Sequence, residues 1–308
     1  MNAPLPVVSI LIPAYNTRYF GDALASALSQ TWPALEIVVC DDSPGRAIEE
    51  AVRATGDARV RYVRNPQRLG FAGNFSRCLE LARGEYIKYL NDDDRLRPRC
   101  VEVLASAMRS NPGVRLATSR RIVIDENGRQ APDILATTPI SHVSALVFGR
   151  ELGDFLLANG TNFVGEPSTA LFRKADLVPE DGLVFRWGGR DYHCLADMAL
   201  WLRLLARGLA YYDSGVQSEF RIHPGQEQHG AGMDLACVEE RLWIAREARA
   251  AGFLAAPSLW QAALAAVIAR AQSVRDGPYD EPSRTRATAL LEEAREALRG
   301  AAGPATGA

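Results

Sequence analysis

YIKYLNDDDRLRP, residues 86–98, sets an aromatic and apolar run directly in front of three consecutive carboxylates, Asp92, Asp93 and Asp94. The run has the composition of a strand. Three adjacent anions repel one another, and a folding core has no use for them. Their position at the end of a strand asks what partner offsets the charge, and the surrounding sequence supplies the frame for an answer.

Upstream, VVSILIP at residues 7–13 is a nearly continuous apolar run, as expected of a strand covered on both faces. Beyond AYN, residues Phe20, Leu24, Ala27, Leu28 and Thr31 recur at helical spacing, which predicts a helix capped near Asn16 or Thr17. LEIVVC (35–40) is a second strand, closed by DDSPG. A short helix near 47–54, the strand VRYVRN, a helix over 71–83, the strand EYIKYL, a helix after Pro98 and a strand VRLATS (114–119) follow. Short strands alternating with helices predict an α/β fold with a mostly parallel, Rossmann-like sheet flanked by helices.

From about residue 120 the rhythm changes. RIVIDENGRQ carries an Asn-Gly turn between polar flanks and reads as a hairpin, followed by irregular sequence to residue 163. A helix is expected over 191–207, with Leu195, Met198, Leu202 and Leu205 on one face. Ala- and Arg-rich stretches near 234–251, 258–275 and 283–299 predict a helical C-terminal extension, and the tail GAAGPATGA is expected to be disordered.

Composition narrows the function classes. Of 308 residues, 47% are hydrophobic and 23% charged, the profile of an ordinary globular protein with a sizeable core. A net charge of -2 gives no electrostatic reason to expect nucleic acid or an anionic membrane as main partner. The five cysteines (Cys40, Cys78, Cys100, Cys194, Cys237) show no CxxC pair and no disulfide-like spacing. That predicts free thiols in a reducing cytoplasm and argues against zinc. The N-terminus lacks a basic region and its apolar run stops at Pro13, so no signal peptide is expected. No stretch approaches the roughly 18 apolar residues of a membrane span.

In open parallel sheets, ligands bind outside the carboxyl ends of the strands. Here strand one ends in PAYN, strand two in DDS and strand four in NDDD, so five carboxylates are expected at one sheet edge. Asp41, Asp42 and Ser43 also fit a turn capping the next helix, and the triple Asp also fits a solvated cap. No strand is followed by GxGxxG, GFAG at 70–73 does not fit that pattern, and there is no GxxxxGK[ST]. An acid cluster without a phosphate-cradling glycine loop suits a hard cation, Mn2+ or Mg2+, bridging carboxylates and phosphate oxygens.

The spaced run VSILIPAYN … ASALSQTWPALEIVVCDDS … NPQRLGFAGNFSRCLELARGEYIKYLNDDDRLRP resembles the nucleotide-binding half of the family 2 glycosyltransferases, with the GT-A fold. The resemblance is dense over residues 7–118 and thinner beyond. It implies that Pro13, Ala14 and Tyr15 line base and ribose, with Tyr15 stacking near the base. Asp42 would accept from the pyrimidine ring N–H, Arg68 and Gly70 would line the pocket, and Asp92 would face the ribose. Asp93 falls on the metal-ligand position. Many members have Asp where this chain has Asn91, so the motif can also be aligned as Asp92 to Asp94, leaving open which outer acid supports the metal.

In the second half, GEPSTALFRKADL (165–177) resembles the family's G-x-P-S segment, which implies that Glu166, Pro167 and Ser168 pack under the donor sugar on the acceptor side. A strand edge after a Gly-Pro turn would look the same. LADMALWLRLLARG resembles the E-D-x-x-L-x-x-R helix, which implies Asp197 as catalytic base. The family's preceding Glu is Ala196 here, Asp191 is a rival base, and an Asp at a helix start also serves the helix dipole. FRIHPGQEQ resembles the R-x-H loop, implying that Arg221 reaches the diphosphate and His223 the diphosphate or metal.

The resemblance divides the chain into a nucleotide-sugar half (1–120), an acceptor and catalytic half (121–230), a helical extension (231–300) and a tail (301–308). It implies an inverting enzyme that moves a sugar from a UDP- or dTDP-linked donor to an acceptor hydroxyl with Mn2+ or Mg2+. The acceptor would be a glycan, a lipid-linked or a small molecule, in surface polysaccharide or glycoconjugate synthesis. The expected location is the cytoplasm or the inner membrane face. Membrane docking, a homodimer and plain packing all fit the C-terminal helices. Two competing readings are a nucleotidyltransferase, which would want a Gly-rich basic loop where AYNTRYF stands, and a non-catalytic nucleotide-sugar-binding module, favoured only by Asn91 and Ala196.

Overall fold

A computed structural model describes residues 4–226 and 231–301. The expected disordered tail lies outside them from residue 302 onward. The first half alternates as its sequence predicts: β1 (Val8–Ala14), α1 (Thr17–Leu28), β2 (Leu35–Asp41), α2 (Ala47–Thr55), β3 (Val60–Arg64), α3 (Gly70–Leu81), β4 (Tyr86–Tyr89), a two-residue β5 (Arg95–Leu96) and α4 (Cys100–Ser110). β1 pairs in parallel with both β2 and β4, and β2 with β3. Three parallel strands therefore deliver Ala14, Asp41 and Tyr89 to one edge, followed at once by the acidic turns.

The continuous apolar runs reflect burial on both faces. Val8, Ile10 and Ile12 pack with α1, α2 and α4, whereas Leu11 and Val38 face the layer that holds α3. All seven β1 residues are buried.

β6 (Val114–Ile124) joins the strand expected at 114–119 to the first arm of the expected hairpin. The Asn-Gly turn is closed by the antiparallel Ile124–Gln130 bridge and by the Asp125 N–H to Arg129 O and Ala131 N–H to Val123 O bonds, both 2.9 Å. Next come β7 (Ala145–Phe148), α5 (Gly149–Asn159), β8 (Leu171–Arg173), β9 (Arg186–Trp187), β10 (Arg190–Asp191), α6 (Ala196–Leu205) and β11 (Leu209–Arg221). The sheet runs β3-β2-β1-β4-β8-β6-β11-β5, with β7 on β11. It is parallel in the first half and mixed in the second, because β8 is antiparallel to both β4 and β6 while β11 is parallel to β6.

The helix expected over 191–207 begins five residues late. Gly188 and Gly189, at φ 59 and 72, make the tight turn of the β9–β10 hairpin and draw Asp191 into a strand. The remaining helix is largely apolar and buried, with Leu200, Trp201, Leu202, Leu204 and Leu205 at 0% exposure and Asp197 and Arg203 its two charged residues. α7 (Ala231–Ala250), α8 (Pro257–Asp276) and α9 (Glu281–Ala301) pack on one another and share a core with α5 and α6.

The cysteine expectation is overturned. Cys194 and Cys237 form a disulfide with Cα atoms 5.3 Å apart, joining the approach to α6 to α7 across 43 residues. The thiol argument for a reducing compartment falls with it. Cys40, Cys78 and Cys100 are free and buried. Among the described residues no helix is long and apolar enough to cross a membrane.

Candidate active site

The site begins at the β1–α1 turn. Asn16 caps α1, its side chain accepting from the Arg18 N–H at 2.9 Å. The turn is fixed from across the sheet edge: the N–H groups of Tyr15 and Asn16 both donate to Oδ2 of Asp92, each at 2.6 Å. Burial, and then the neighbouring Asp93, push the Asp92 carboxyl up to about 7 against those two hydrogen bonds. Pro13 and Ala14 are buried beneath the turn, while the Tyr15 ring is half exposed with the Arg68 guanidinium 4.5 Å from its centroid. Tyr15 and Arg68, both expected at the nucleotide, are thus in contact with each other.

The two acids of the second turn divide. Asp41 accepts from the Ser43 N–H, the Tyr62 hydroxyl and Arg64, so it closes the turn and ties down the sheet edge. Asp42 accepts from the N–H groups of Leu69 and Gly70 and from Asn65 at 2.8–3.0 Å. It caps α3 and holds Gly70 in the left-handed region, at φ 71. Arg46 and Arg99 do not cap α2 and α4 with their side chains, and Gln30 Oε1 takes the Val101 N–H of α4 at 3.0 Å, so neither acid run caps the helix that follows it.

The triple Asp separates three ways. Asp93 is partly exposed and meets Nε2 of the buried His223 at 3.2 Å. Arg221, 1% exposed, lies behind it: its Nε donates to the Asp93 carbonyl at 2.7 Å, and its guanidinium also binds Asp125 O and Asp22. Tyr19 on α1 packs against both, its ring 4.8 Å from the His223 ring and 4.4 Å from the Arg221 guanidinium. Arg221, expected at the diphosphate, is enclosed as a support for Asp93.

Asp94, expected among the metal ligands, is fully buried. It accepts from Ser168 Oγ at 2.6 Å, from Asn91 at 3.1 Å and from the Arg221 N–H at 3.0 Å. Burial, Asp93 and Glu166 hold its carboxyl well above the usual range. Its oxygens are engaged, which removes it from the open side. Ser168 also accepts the Asn91 N–H at 3.0 Å, so it clips the 162–169 loop to the acidic turn from below.

Among the described residues no group of three or more His, Cys, Asp or Glu gathers at metal-ligating spacing. Among the described residues, Asp93 and His223 are the pair that meets at the end of the acidic turn, at 3.2 Å. One carboxylate and one imidazole, completed by phosphate oxygens and water, form a donor set that Mn2+ or Mg2+ accepts. The residues fit such an ion only with a phosphate ligand present.

On the acceptor side, Glu166 forms an ion pair with Arg121, Oε2 to Nε 2.7 Å, while Pro167 turns the chain between Glu166 and Ser168. Asp197 lies in the first turn of α6, its Oδ1 accepting from the Met198 N–H at 2.7 Å. Burial, and next the charge of Glu166, push its carboxyl up to about 7. The rival Asp191 is exposed at the β9–β10 hairpin and bonded to Arg186 at 3.2 Å. Of the two, Asp197 is enclosed and Asp191 exposed.

Sequence reading passed over Lys88 and Arg121. Lys88 is 0% exposed inside β4 and donates to the carbonyls of Ser168 and Ala170. A lysine within a buried strand is itself a signal, because such a charge needs partners. Arg121 was hidden by the hairpin reading of its strand.

The model of the family described as Glycosyl transferase family 2 matches residues 9–177. An uncharacterized protein of Mycobacterium tuberculosis is 32% identical over 214 residues, covering 67% of this chain and 64% of that protein. The chain thus spans just under two thirds of that relative's length. The Escherichia coli UDP-Glc:alpha-D-GlcNAc-diphosphoundecaprenol beta-1,3-glucosyltransferase WfaP is 26% identical over 223 residues, covering 72% of this chain and 79% of its own. Among solved structures, S. aureus TarS 1-349 in complex with UDP aligns with a TM-score of 0.56 over 96% of this chain and 91% of that one. At 16% identity that likeness shows the shared GT-A fold.

Proposed function

The chain belongs to glycosyl transferase family 2 and is a glycosyltransferase, and from that membership we propose that it transfers a sugar from a UDP- or dTDP-linked donor to an acceptor hydroxyl with inversion. The carrying observation is the meeting of Asp93 with His223, 130 residues apart, beside a β1–α1 turn that Asp92 locks. This supports a diphosphate seat at the carboxyl edge of the parallel strands. The names of WfaP and of the TarS complex both carry uridine diphosphate chemistry, which supports a pyrimidine nucleotide. Relatives that build polysaccharides and lipid-linked glycans support a glycan or lipid-linked acceptor.

The residues divide the work as follows. Tyr15 and Arg68 receive the base, and Asp42, whose oxygens already take the Asn65, Leu69 and Gly70 N–H groups, would share one of them with the pyrimidine N–H. Asp93 and His223 would hold Mn2+ or Mg2+, which when bound offsets charge on the nucleoside diphosphate. Arg221 keeps Asp93 in place through its backbone carbonyl. Asp197 takes the proton of the acceptor hydroxyl as that oxygen attacks the anomeric carbon, and the diphosphate leaves from the opposite face with the bonding pair. A carboxyl at about 7 is matched to this role, because it is partly ionised at neutral pH yet holds a proton well. The test is turnover on a panel of nucleotide sugars, read as release of nucleoside diphosphate. Release from UDP- or dTDP-sugars in preference to GDP-sugars is expected, and no release from any of them would contradict the proposal.

A further inference from the structure

Charged groups face Asp197 or the start of its helix from three other elements, the 162–169 loop, β6 and α7. Glu166, in the 162–169 loop, adds a negative field that disfavours the ionised base, and Arg121 on β6 opposes it. From α7, Glu240 faces the start of α6, but its carboxylate accepts from the His193 and Leu195 N–H groups at 2.9 and 2.7 Å.

Arg121 is 2% exposed and wrapped by the loop that carries Glu166. Besides the 2.7 Å ion pair with Glu166, it donates to Phe163 O at 3.2 Å, Asn162 O at 3.3 Å and Ala136 O at 2.7 Å. The same loop is tied to the base's own helix. Trp201, one turn beyond Asp197, donates its indole N–H to Gly165 O at 2.8 Å. Gly165 itself stands at φ 106, and a Cβ there would lie 2.3 Å from Thr169 Oγ1 and 2.9 Å from the Arg121 guanidinium. This contact network fixes where Glu166 sits relative to α6, and Glu166 also supplies the anion that the buried Arg121 guanidinium needs.

We propose that Glu166 and Arg121 are positioning residues for the reaction at Asp197, Glu166 supplying the charge that makes Asp197 a strong proton acceptor and Arg121 fixing and limiting that charge. The inference rests on the reading of Asp197 as base. A nearby anion raises proton affinity and a nearby cation lowers it. Removing Glu166 therefore weakens the base, whereas removing Arg121 leaves an uncompensated anion and keeps Asp197 protonated at neutral pH.

The test is the pH dependence of donor hydrolysis by the full chain and three variants, Asp197→Asn, Glu166→Gln and Arg121→Met. Asp197→Asn is expected to lose the acid limb with most of the rate; if it keeps both, the base reading fails and this inference with it. Glu166→Gln is expected to move the limb about one pH unit toward acid, and Arg121→Met toward alkali by a similar amount. A Glu166→Gln enzyme that is slower at every pH with an unmoved limb would show a purely structural role and overturn the proposal. Should Arg121→Met fail to fold, Glu166→Gln alone decides, since glutamine keeps the shape and an oxygen for Arg121.

Discussion

The Ser168 hydroxyl donates to Asp94 Oδ2 at 2.6 Å, joining the acceptor-side loop to the third acid of the Asp run. It makes Asp94 a buried, hydrogen-bonded member of the framework and leaves Asp93 as the acid on the open side. Nucleotide binding then separates the two. With Mn2+, UDP or dTDP should raise the melting temperature markedly more than with EDTA, by mass action on a metal-bridged complex. Asp93→Ala should abolish that difference. Asp94→Asn should leave it, because the amide oxygen still accepts. Asp94→Ala should instead cost about 1–3 kcal/mol of stability, through donors left unpaired around it. Differential scanning fluorimetry decides; loss of the metal-dependent increment in Asp94→Asn would return Asp94 to the metal.

Asp42 should set base preference even though it caps α3. A carboxylate suits the ring N–H of uracil or thymine and is poorly matched to the N3 acceptor of cytosine. Competition binding should rank UDP and dTDP above CDP and GDP. Equal affinities for all four would remove Asp42 from base recognition.

The first-half strands were legible because parallel strands buried on both faces read as unbroken apolar runs, as in residues 8–14 and 35–41. Their order alone places the acids on one edge. The division of labour within the Asp run was not legible. Beyond Tyr89 the chain turns, strand alternation no longer dictates which side chain faces the cleft, and the choice rests on Ser168 and Arg221, far away in sequence. The start of α6 is not legible, because Gly188 and Gly189 close a hairpin that takes Asp191. The disulfide escaped because nothing in a 43-residue spacing shows that α7 packs beside the approach to α6.

That disulfide carries a stability prediction. Closing a loop of this length restricts the unfolded chain, so Cys194→Ser with Cys237→Ser should cost about 2–4 kcal/mol. Urea unfolding of the double variant against the oxidised protein measures it. An unchanged midpoint would mean that the bond constrains nothing.

Stability should also depend on pH through Asp197. Its folded value, about 7, lies above the 3.8 of an unperturbed Asp. The folded state therefore binds the proton more tightly, and this contribution is full below about 4 and lost as pH rises through 7. Asp197→Asn does not ionise, so its stability relative to the parent should grow between about pH 4 and 7, then level off. Thermal melts across that range should show the divergence. Parallel curves would mean that burial does not perturb the carboxyl.

The most direct test of the central claim is single-turnover kinetics on Asp197→Asn, with donor affinity measured on the same preparation. A base touches the acceptor hydroxyl and not the nucleotide. The rate of the chemical step should fall roughly 10²–10⁴-fold while the donor Kd stays nearly unchanged, and Asp191→Asn, at an exposed hairpin, should behave like the parent. Full activity in Asp197→Asn, or loss of activity in Asp191→Asn alone, would contradict the account.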